Sequence, residues 1–391
     1  MSSRTVSFFI FFSMFLTVYG SANYYIIKRG WQCLPDITRL KRAYIVLALI
    51  WAFSYLTGRI LENLSPGFMA NTLIWIGSSW LGFMAYFFMI LIPLDIVRLF
   101  NHRFHFFPES WGVNPRKIRL ITGCIVFGTV AMANLYGYIN ACHVRLKPLD
   151  IAIDKRAGSL KKLRIVFASD IHLGTIVGEK RLKRMAEMMN EQDPDLVLFG
   201  GDIVDEGLHP ETHREITEIL KSINARYGVF ASTGNHELIV GIEKSQAFIA
   251  ASGIRLLRDE AVTVDGSFVL AGREDASFRR FTEKNRKSLE KILEKTDLNL
   301  PLILMDHTPY TLSEAEETGV DLQLSGHTHN GQMWPFNYIT GLIFEQDWGR
   351  WRRSDTLYYV SCGAGVWGPP VRIGSYPEIV VINVTFGGID R

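Results

Sequence analysis

Five short apolar runs after residue 160 each end in an aspartate, an asparagine or a histidine. These side chains are Asp170, His172, Asp202, Asn235, His236, His307, His327 and His329. In open α/β sheets, ligands bind at the edge formed by the carboxyl ends of the strands. Carboxylate and carbonyl oxygens and imidazole nitrogens are metal ligands. The pattern therefore predicts a metal site at the carboxyl edge of a sheet.

Each of these residues has an ordinary structural explanation when it is taken alone. Asp170 and Asp202 fit the caps of following helices, Asn235 fits a turn, and an isolated His307 fits a buried core position. Their joint occurrence favours a functional site, because five of the seven histidines after residue 145 stand among them. Strands that alternate with helices also predict a layered α/β architecture.

The stretch SGHTHNGQ at residues 325–332 places His327 and His329 on either side of a single threonine. Alternate side chains of an extended segment point to the same side, so both imidazoles can reach one small volume. One such pair is a weak signal by itself. It indicates a metal site only together with the other four segments.

The ordered series DIH, GGD, GNHE, DH and GHTH, over about residues 160–386, resembles the calcineurin-like metallophosphoesterase superfamily. The tail at residues 357–384 is similar to the membrane-associated bacterial branch of that superfamily. Asn330 stands where a glycine is common, and we expect the loop to tolerate it. The resemblance implies a layered αββα domain and two divalent ions, which would be manganese, iron or zinc.

The resemblance also implies a role for each residue of the motifs. The first ion would be held by Asp170, His172, Asp202 and His329, and the second by Asp202, Asn235, His307 and His327. A hydroxide shared by the two ions would attack phosphorus. Asn235 would stabilise the developing charge. His236 has no ligand role and adjoins Asn235, so it is the candidate for protonating the leaving oxygen; the alternative is a positioning role only. Glu237 and Asp306 are expected to orient the ligating histidines.

Four stretches before residue 142 are apolar and long enough to cross a bilayer, which takes about 20 residues. They cover residues 6–27, 43–61, 69–92 and 120–141. These stretches lack the polar face of a helix in a soluble protein. We therefore expect four transmembrane helices within a membrane domain at residues 1–145, followed by the metallophosphoesterase domain at residues 146–391.

Basic residues lie in the loops after the first and third predicted spans, and none lies in the loop after the second. Because short cytoplasmic loops carry the excess of Lys and Arg, the catalytic domain is expected outside the cytoplasm, on the inner (cytoplasmic) membrane. The ionisable residues Arg59, Glu62 and Asp95 stand near span ends, which favours an anchor over a transporter.

The charge and the cysteine pattern exclude other classes of protein. A net charge of +3 over 391 residues is small beside the basic excess of nucleic-acid-binding proteins, so no nucleic-acid partner is expected. The four cysteines are scattered without CxxC spacing. They indicate neither a disulfide framework nor a zinc knuckle.

Two segments near the active-site motifs need separate interpretation. GAGVWG at residues 363–368 matches a dinucleotide-binding pattern, but Pro369 and Pro370 follow at once where that motif requires a helix. Its glycines are expected to let a loop pass close to the metal site. The aromatic and basic segment at residues 333–353 either packs on its own domain or dips into the headgroup region of a membrane.

The sequence thus predicts a membrane-anchored, dinuclear-metal phosphoesterase that acts on a phosphoester or pyrophosphate linked to a lipid of the bilayer. One alternative is a nuclease-type phosphodiesterase, which the spans and the near-neutral charge disfavour. Another is a catalytically inactive module that binds metal or phosphate, which the complete ligand set disfavours. The oligomeric state and the kind of phosphate bond are left open by the sequence.

Overall fold

The computed structural model describes residues 3–106, 114–205 and 210–387 of the chain, without the side chains of residues 3–9, 11, 12 and 210–212. By internal contacts the chain forms two compact units. The first unit comprises residues 1–136 and 368–370, and the second comprises residues 137–367 and 371–391. The last turn of the fourth helix therefore belongs to the second unit.

The first unit is built from long helices. They are α1 (Ser3–Cys33), α2 (Thr38–Leu64), α3 (Phe68–Phe104) and α4 (Pro115–Ala141). Helices α2 and α3 pack closely, because a Cβ atom on Gly58 would lie 2.7 Å from the Ile74 backbone nitrogen and one on Gly77 would overlap the Tyr55 backbone.

Three helices in the described part of the chain, α2, α3 and α4, are long and apolar enough to cross a membrane. The expectation of four such helices is therefore corrected to three. The first predicted span does lie in a helix, α1, but part of its apolar N-terminal half falls outside the described side chains. The described remainder contains Asn23, Lys28 and Arg29, which lower its mean hydropathy.

The second unit contains two six-stranded mixed sheets. The first sheet has the order β1 (Arg145–Ile153), β12 (Glu378–Phe386), β2 (Lys162–Ala168), β3 (Leu196–Phe199), β4 (Val229–Ala231) and β5 (Arg255–Leu256). The second has the order β10 (Gly349–Arg353), β11 (Thr356–Val360), β9 (Leu322–Ser325), β8 (Leu302–Met305), β7 (Phe268–Gly272) and β6 (Glu260–Val264). The predicted ligands follow β2, β3 and β4 in the first sheet and β8 and β9 in the second. The strands β2, β3 and β4 pair in parallel, and so do β8 and β9.

The two sheets bury their facing surfaces against each other. Phe167 and Leu198 of the first sheet share one apolar cluster with Leu270, Ile303 and Leu324 of the second. Helices α5 (Glu179–Asn190), α6 (Pro210–Lys221) and α8 (Ile242–Ala251) supply the cluster on the outer face of the first sheet. Helices α10 (Leu289–Leu293) and α11 (Ser313–Glu317) do so for the second. The layers agree with the predicted αββα arrangement.

The remaining helices lie in connections close to the ligand-bearing strand ends. They are α7 (Asn235–Val240), α9 (Phe278–Thr282) and α12 (Phe336–Ile343). Residues 361–377, which include GAGVWG, form turns and bends rather than a helix, so the dinucleotide-binding pattern is correctly rejected. A Cβ atom on Gly363 would lie 2.8 Å from the Asp170 Cβ. This glycine thus allows the loop to pass close to the predicted metal site.

Candidate metal centre

The first group of possible ligands consists of Asp170, His172 and His329. Asp170 and His172 directly follow β2, and both Asp170 oxygens accept the backbone N–H of His327 at 3.0 Å. The Nε2 atoms of His172 and His329 are 3.1 Å apart, and His329 Nε2 is 3.5 Å from Asp170 Oδ1. Two imidazole nitrogens that each lie about 2.0–2.1 Å from one ion have a separation of this size, so the group fits a metal.

The second group consists of Asp202, His307 and His327. His307 Nε2 lies 3.2 Å from Asp202 Oδ2, and His327 Nδ1 lies 2.9 Å from Asn235 Oδ1. The Gly200 carbonyl accepts the Nδ1–H of His307 at 2.7 Å, so Nε2 is the ring nitrogen that faces the other ligands. Among the described residues this fully buried atom has no hydrogen-bond partner. Such an atom is suited to a metal ion.

Asp202 connects the two groups. It also belongs to a third group, with His172 and His236, and its Oδ2 lies 3.8 Å from His172 Nε2. His307 Nε2 lies 3.9 Å from Asp170 Oδ1. The structure therefore brings all eight predicted residues into one cluster with Asp202 in a central position. Their assignment as metal ligands and proton donor stays a prediction.

The charges of the cluster favour a bound cation. Burial lowers the pKa of His307, but the carboxylates of Asp202 and Asp170 outweigh burial and raise this pKa well above the usual value. Burial raises the pKa of Asp202, but the neighbouring histidines His307, His236 and His172 outweigh burial and lower this pKa well below the usual value. Ionised carboxylates in a buried site are stabilised by a metal ion as well as by protonated histidines.

The backbone is strained at most of the predicted ligands. Asp170, His172, Asp202, His327 and His329 have φ values between 51° and 71°. Left-handed conformations of this kind cost residues other than glycine on the order of 1–3 kcal/mol each and concentrate at functional sites. Asn330, which stands where a glycine is common, has a φ of 47°. Asparagine tolerates this left-handed conformation better than most residues do.

Neither Glu237 nor Asp306 orients a histidine, contrary to the expectation from the sequence. The Glu237 carboxylate accepts backbone N–H groups of Gly234 and of residues 202–204 at 2.7–3.2 Å, so it fixes the turn that carries Asp202. Asp306 forms ion pairs with two arginines instead. Both carboxylates are buried, and Glu237 supports the site through the backbone.

Asp205 is the carboxylate that contacts the histidines, and sequence reasoning missed it. Its Oδ1 lies 2.8 Å from His236 Nδ1 and 3.3 Å from His172 Nδ1. Contacts of this kind fix the orientation of metal-binding imidazoles. A signal was present in the sequence, because Asp205 follows Asp202 by three residues on the same loop.

Arg372 is the second residue that sequence reasoning missed. Its guanidinium is fully buried and lies 3.0 Å from His329 Nδ1, while it donates to the carbonyls of Gly363 and Gly365 at 3.3 and 2.7 Å. Burial lowers the pKa of His329, and the charge of Arg372 lowers it further. Burial and the charge of Arg372 therefore both favour an uncharged His329 imidazole, whose Nδ1 accepts from the guanidinium.

Comparisons with known proteins agree with this geometry. Residues 163–331 match the family model for the calcineurin-like phosphoesterases. An uncharacterized metallophosphoesterase of Aquifex aeolicus is 33% identical over 251 residues, which cover 64% of this chain and 95% of that protein. An uncharacterized metallophosphoesterase of Campylobacter jejuni is 27% identical over 390 residues, which cover 96% of this chain and 98% of that protein.

A third relative combines the same domain with a membrane region. It is a transmembrane protein with metallophosphoesterase domain from Danio rerio, 33% identical over 264 residues that cover 64% of this chain and 60% of that protein. The similarity to the Aquifex protein extends over nearly its whole length, and α2, α3 and α4 are of membrane-spanning length. The chain therefore belongs to the calcineurin-like phosphoesterase family and is a metal-dependent phosphoester hydrolase with three apolar helices of membrane-spanning length in its described part.

Proposed function

We propose that the chain is a membrane-anchored phosphoesterase whose centre takes two divalent ions. The observation that carries this proposal is the position of Asp202, which belongs both to the group with His307 and His327 and to a group with His172. Two ions close together need one carboxylate between them, and Asp202 is placed for that role. Manganese, iron and zinc all accept mixed oxygen and imidazole ligands.

The chain's own residues would hold the ions and the substrate phosphate. One ion would be held by Asp170, His172 and His329. The other ion would be held by His307, His327 and Asn235. Asp202 would contact both ions. When bound, such a pair lowers the pKa of a water molecule and stabilises the charge of an in-line displacement. The Asn235 amide lies beside His327, from where its N–H groups can also contact a phosphoryl oxygen.

His236 is the proposed proton donor to the leaving oxygen. Its ring lies 4.6 Å from the His172 ring, measured between centroids. Burial lowers the pKa of His236, but the carboxylates of Asp205 and Asp202 outweigh burial and raise this pKa to about 9. The two carboxylates thus favour the protonated imidazole, which can donate its Nε2 proton while Asp205 faces Nδ1.

Replacing His236 tests this role. We expect His236→Asn to lower turnover by about 10²–10⁴-fold, the usual contribution of a positioned acid. The loss should be larger for an alkyl phosphoester than for a p-nitrophenyl ester, because p-nitrophenolate leaves without a proton. The measurement is turnover of both ester types, with metal content determined on the same samples. An equal loss for both esters would exclude the proton-donor role, and loss of metal would show that His236 acts as a ligand.

A lipid-linked phosphoester or pyrophosphate is the proposed substrate class. Two features support it: the apolar helices of the chain and the exposed apolar residues of α12, which follows the last predicted ligands directly. The test compares hydrolysis of bis-p-nitrophenyl phosphate, lipid phosphates and lipid pyrophosphates, and a DNA substrate by the full-length protein. We expect turnover of a lipid substrate to exceed that of DNA. Preferential cleavage of DNA would favour the nuclease alternative.

The catalytic unit is proposed to lie outside the cytoplasmic membrane. The support is the excess of basic residues where α1 ends and α2 begins (residues 28–42) and where α3 ends and α4 begins (residues 98–119). A C-terminal fusion to alkaline phosphatase, which is active only outside the cytoplasm, should be active, and a C-terminal fluorescent protein that folds only in the cytoplasm should be dark. The reverse result would place the metal centre in the cytoplasm.

A further inference from the structure

Helix α12 and the residue pair before it present an apolar surface to solvent. Leu342 is 87% exposed, and the other members of this surface are each more than half exposed: Trp334, Tyr338, Ile339 and Ile343. Positions 338, 339, 342 and 343 lie on one side of a helix by their spacing of three and four residues. Large apolar patches on a protein surface mark an interaction site. We call these five residues the apolar face.

The apolar face is attached to the turn that carries two predicted metal ligands. A Cβ atom on Gly331 would overlap the backbone of Phe336 and Asn337, so this turn packs directly on the first turn of α12. After α12, the Phe344 ring lies 5.9 Å from the His327 ring, measured between centroids. The predicted segment at residues 333–353 thus packs on its own unit through Phe344 and exposes α12.

The apolar face is also attached to the end of a helix of membrane-spanning length. The last turn of α4 lies in the same unit as α12, and its Gly137 carbonyl accepts the backbone N–H of Arg372 at 2.9 Å. Asn140 Nδ2 donates to the Ser375 carbonyl at 2.8 Å.

The segment that contacts the end of α4 also contacts the residues before α12. Ile373 of this segment donates its backbone N–H to the Gln332 carbonyl, and its carbonyl accepts the backbone N–H of Trp334. Arg181 of α5 donates to the Ala141 carbonyl. The C-terminal turn of α4 is therefore held close to the segment that begins the apolar face.

We infer that the apolar face inserts into the interfacial region of the bilayer leaflet in which α4 ends, and that it holds the metal centre at headgroup level. Its occupant would be lipid, because residues 336–343 contain no Asp, Glu, Lys, Arg or His and lie in the same unit as the end of α4, a helix of membrane-spanning length. Tryptophan and tyrosine beside aliphatic residues are typical of an interfacial helix. The inference rests on the proposed function for the substrate, which would be an amphiphile whose phosphate enters the centre while its hydrocarbon stays in the bilayer.

The depth of Leu342 in the bilayer tests the insertion itself. The full chain, with Cys33, Cys124 and Cys142 changed to serine and the buried Cys362 retained, receives a fluorophore at Leu342→Cys or at the control Leu298→Cys. Leu298 is 49% exposed and lies elsewhere on the same unit. In nanodiscs with lipids brominated in the acyl chains, we expect strong quenching at position 342 and none at position 298. Equal quenching by aqueous iodide at both positions, without bromine quenching, would overturn the inference.

A second variant relates the surface to the substrate. We expect Leu342→Glu to lower the rate on lipid phosphate in vesicles relative to the rate on bis-p-nitrophenyl phosphate by about tenfold, the effect of losing one buried leucine contact. Leu298→Glu should not change this ratio, and an unchanged ratio in Leu342→Glu would contradict the inference. If wild-type protein hydrolyses no lipid substrate, the proposed function fails, but bromine quenching at position 342 still decides on insertion.

Discussion

Asp202→Asn is expected to lower metal-dependent turnover by more than about 100-fold, because even the outer partners of metal ligands contribute about 10–100-fold. The substitution removes one negative charge from the centre of the cluster and keeps the shape of the side chain. The asparagine Oδ1 can still accept the backbone N–H of His236, which Asp202 Oδ1 accepts at 2.8 Å. The fold should therefore survive while the second ion is lost.

The measurement is hydrolysis of bis-p-nitrophenyl phosphate together with the number of ions per chain. Asp265→Asn is the matched control, because Asp265 is exposed and also has a positive φ, of 50°, and it is expected to behave like the wild type. If Asp202→Asn keeps both its ions and its turnover, Asp202 is not the shared ligand and the dinuclear assignment is wrong.

Arg372→Met is expected to lower the free energy of unfolding by about 2–4 kcal/mol and to weaken metal binding by about 10–100-fold. The guanidinium is fully buried, and its removal leaves the Gly365 carbonyl without its donor and the Gly363 carbonyl with only the Glu378 backbone N–H. It also removes the cation that favours an uncharged His329 and holds its ring. Chemical denaturation and metal titration of the full chain measure the two effects.

Arg372→Lys distinguishes charge from geometry. Lysine keeps the positive charge but lacks the planar fork of the guanidinium, so this variant should recover part of the stability and metal affinity. Arg255→Met is the control on a partly exposed arginine that pairs with Glu260, and we expect it to bind metal as the wild type does. If Arg372→Met has the stability and metal affinity of the wild type, Arg372 supports neither the fold nor the metal centre.

Much of the site follows from local patterns in the sequence. Short buried runs such as residues 196–199 predict strands, and the polar residues after them predict the edge where Asp170, Asp202 and Asn235 meet. Parallel pairing of β2, β3 and β4 aligns these strand ends, which is why residues that are distant in the chain converge. The rejection of GAGVWG as a nucleotide site also rests on a local rule, the two prolines that follow it.

The parts that could not be predicted depend on long-range packing. Arg372 lies 43 residues beyond His329, and nothing in its neighbourhood in the sequence indicates a fully buried cation. Glu237 is the last residue of GNHE, and Asp205 follows GGD by three residues. Which of the two carboxylates contacts an imidazole depends on how the loops after β3 and β4 pack. The left-handed backbone at Asp170 and His329 is likewise a product of the assembled site and has no signature in residue type.

The most direct test of the central claim is the number of ions that turnover requires. The full-length protein is stripped with chelator in nanodiscs and titrated with manganese, while bound metal and hydrolysis of bis-p-nitrophenyl phosphate are measured on the same samples. A dinuclear centre predicts no turnover in the stripped protein and turnover that rises only as the second ion binds. Full turnover with one ion per chain, or in the presence of chelator, would contradict it.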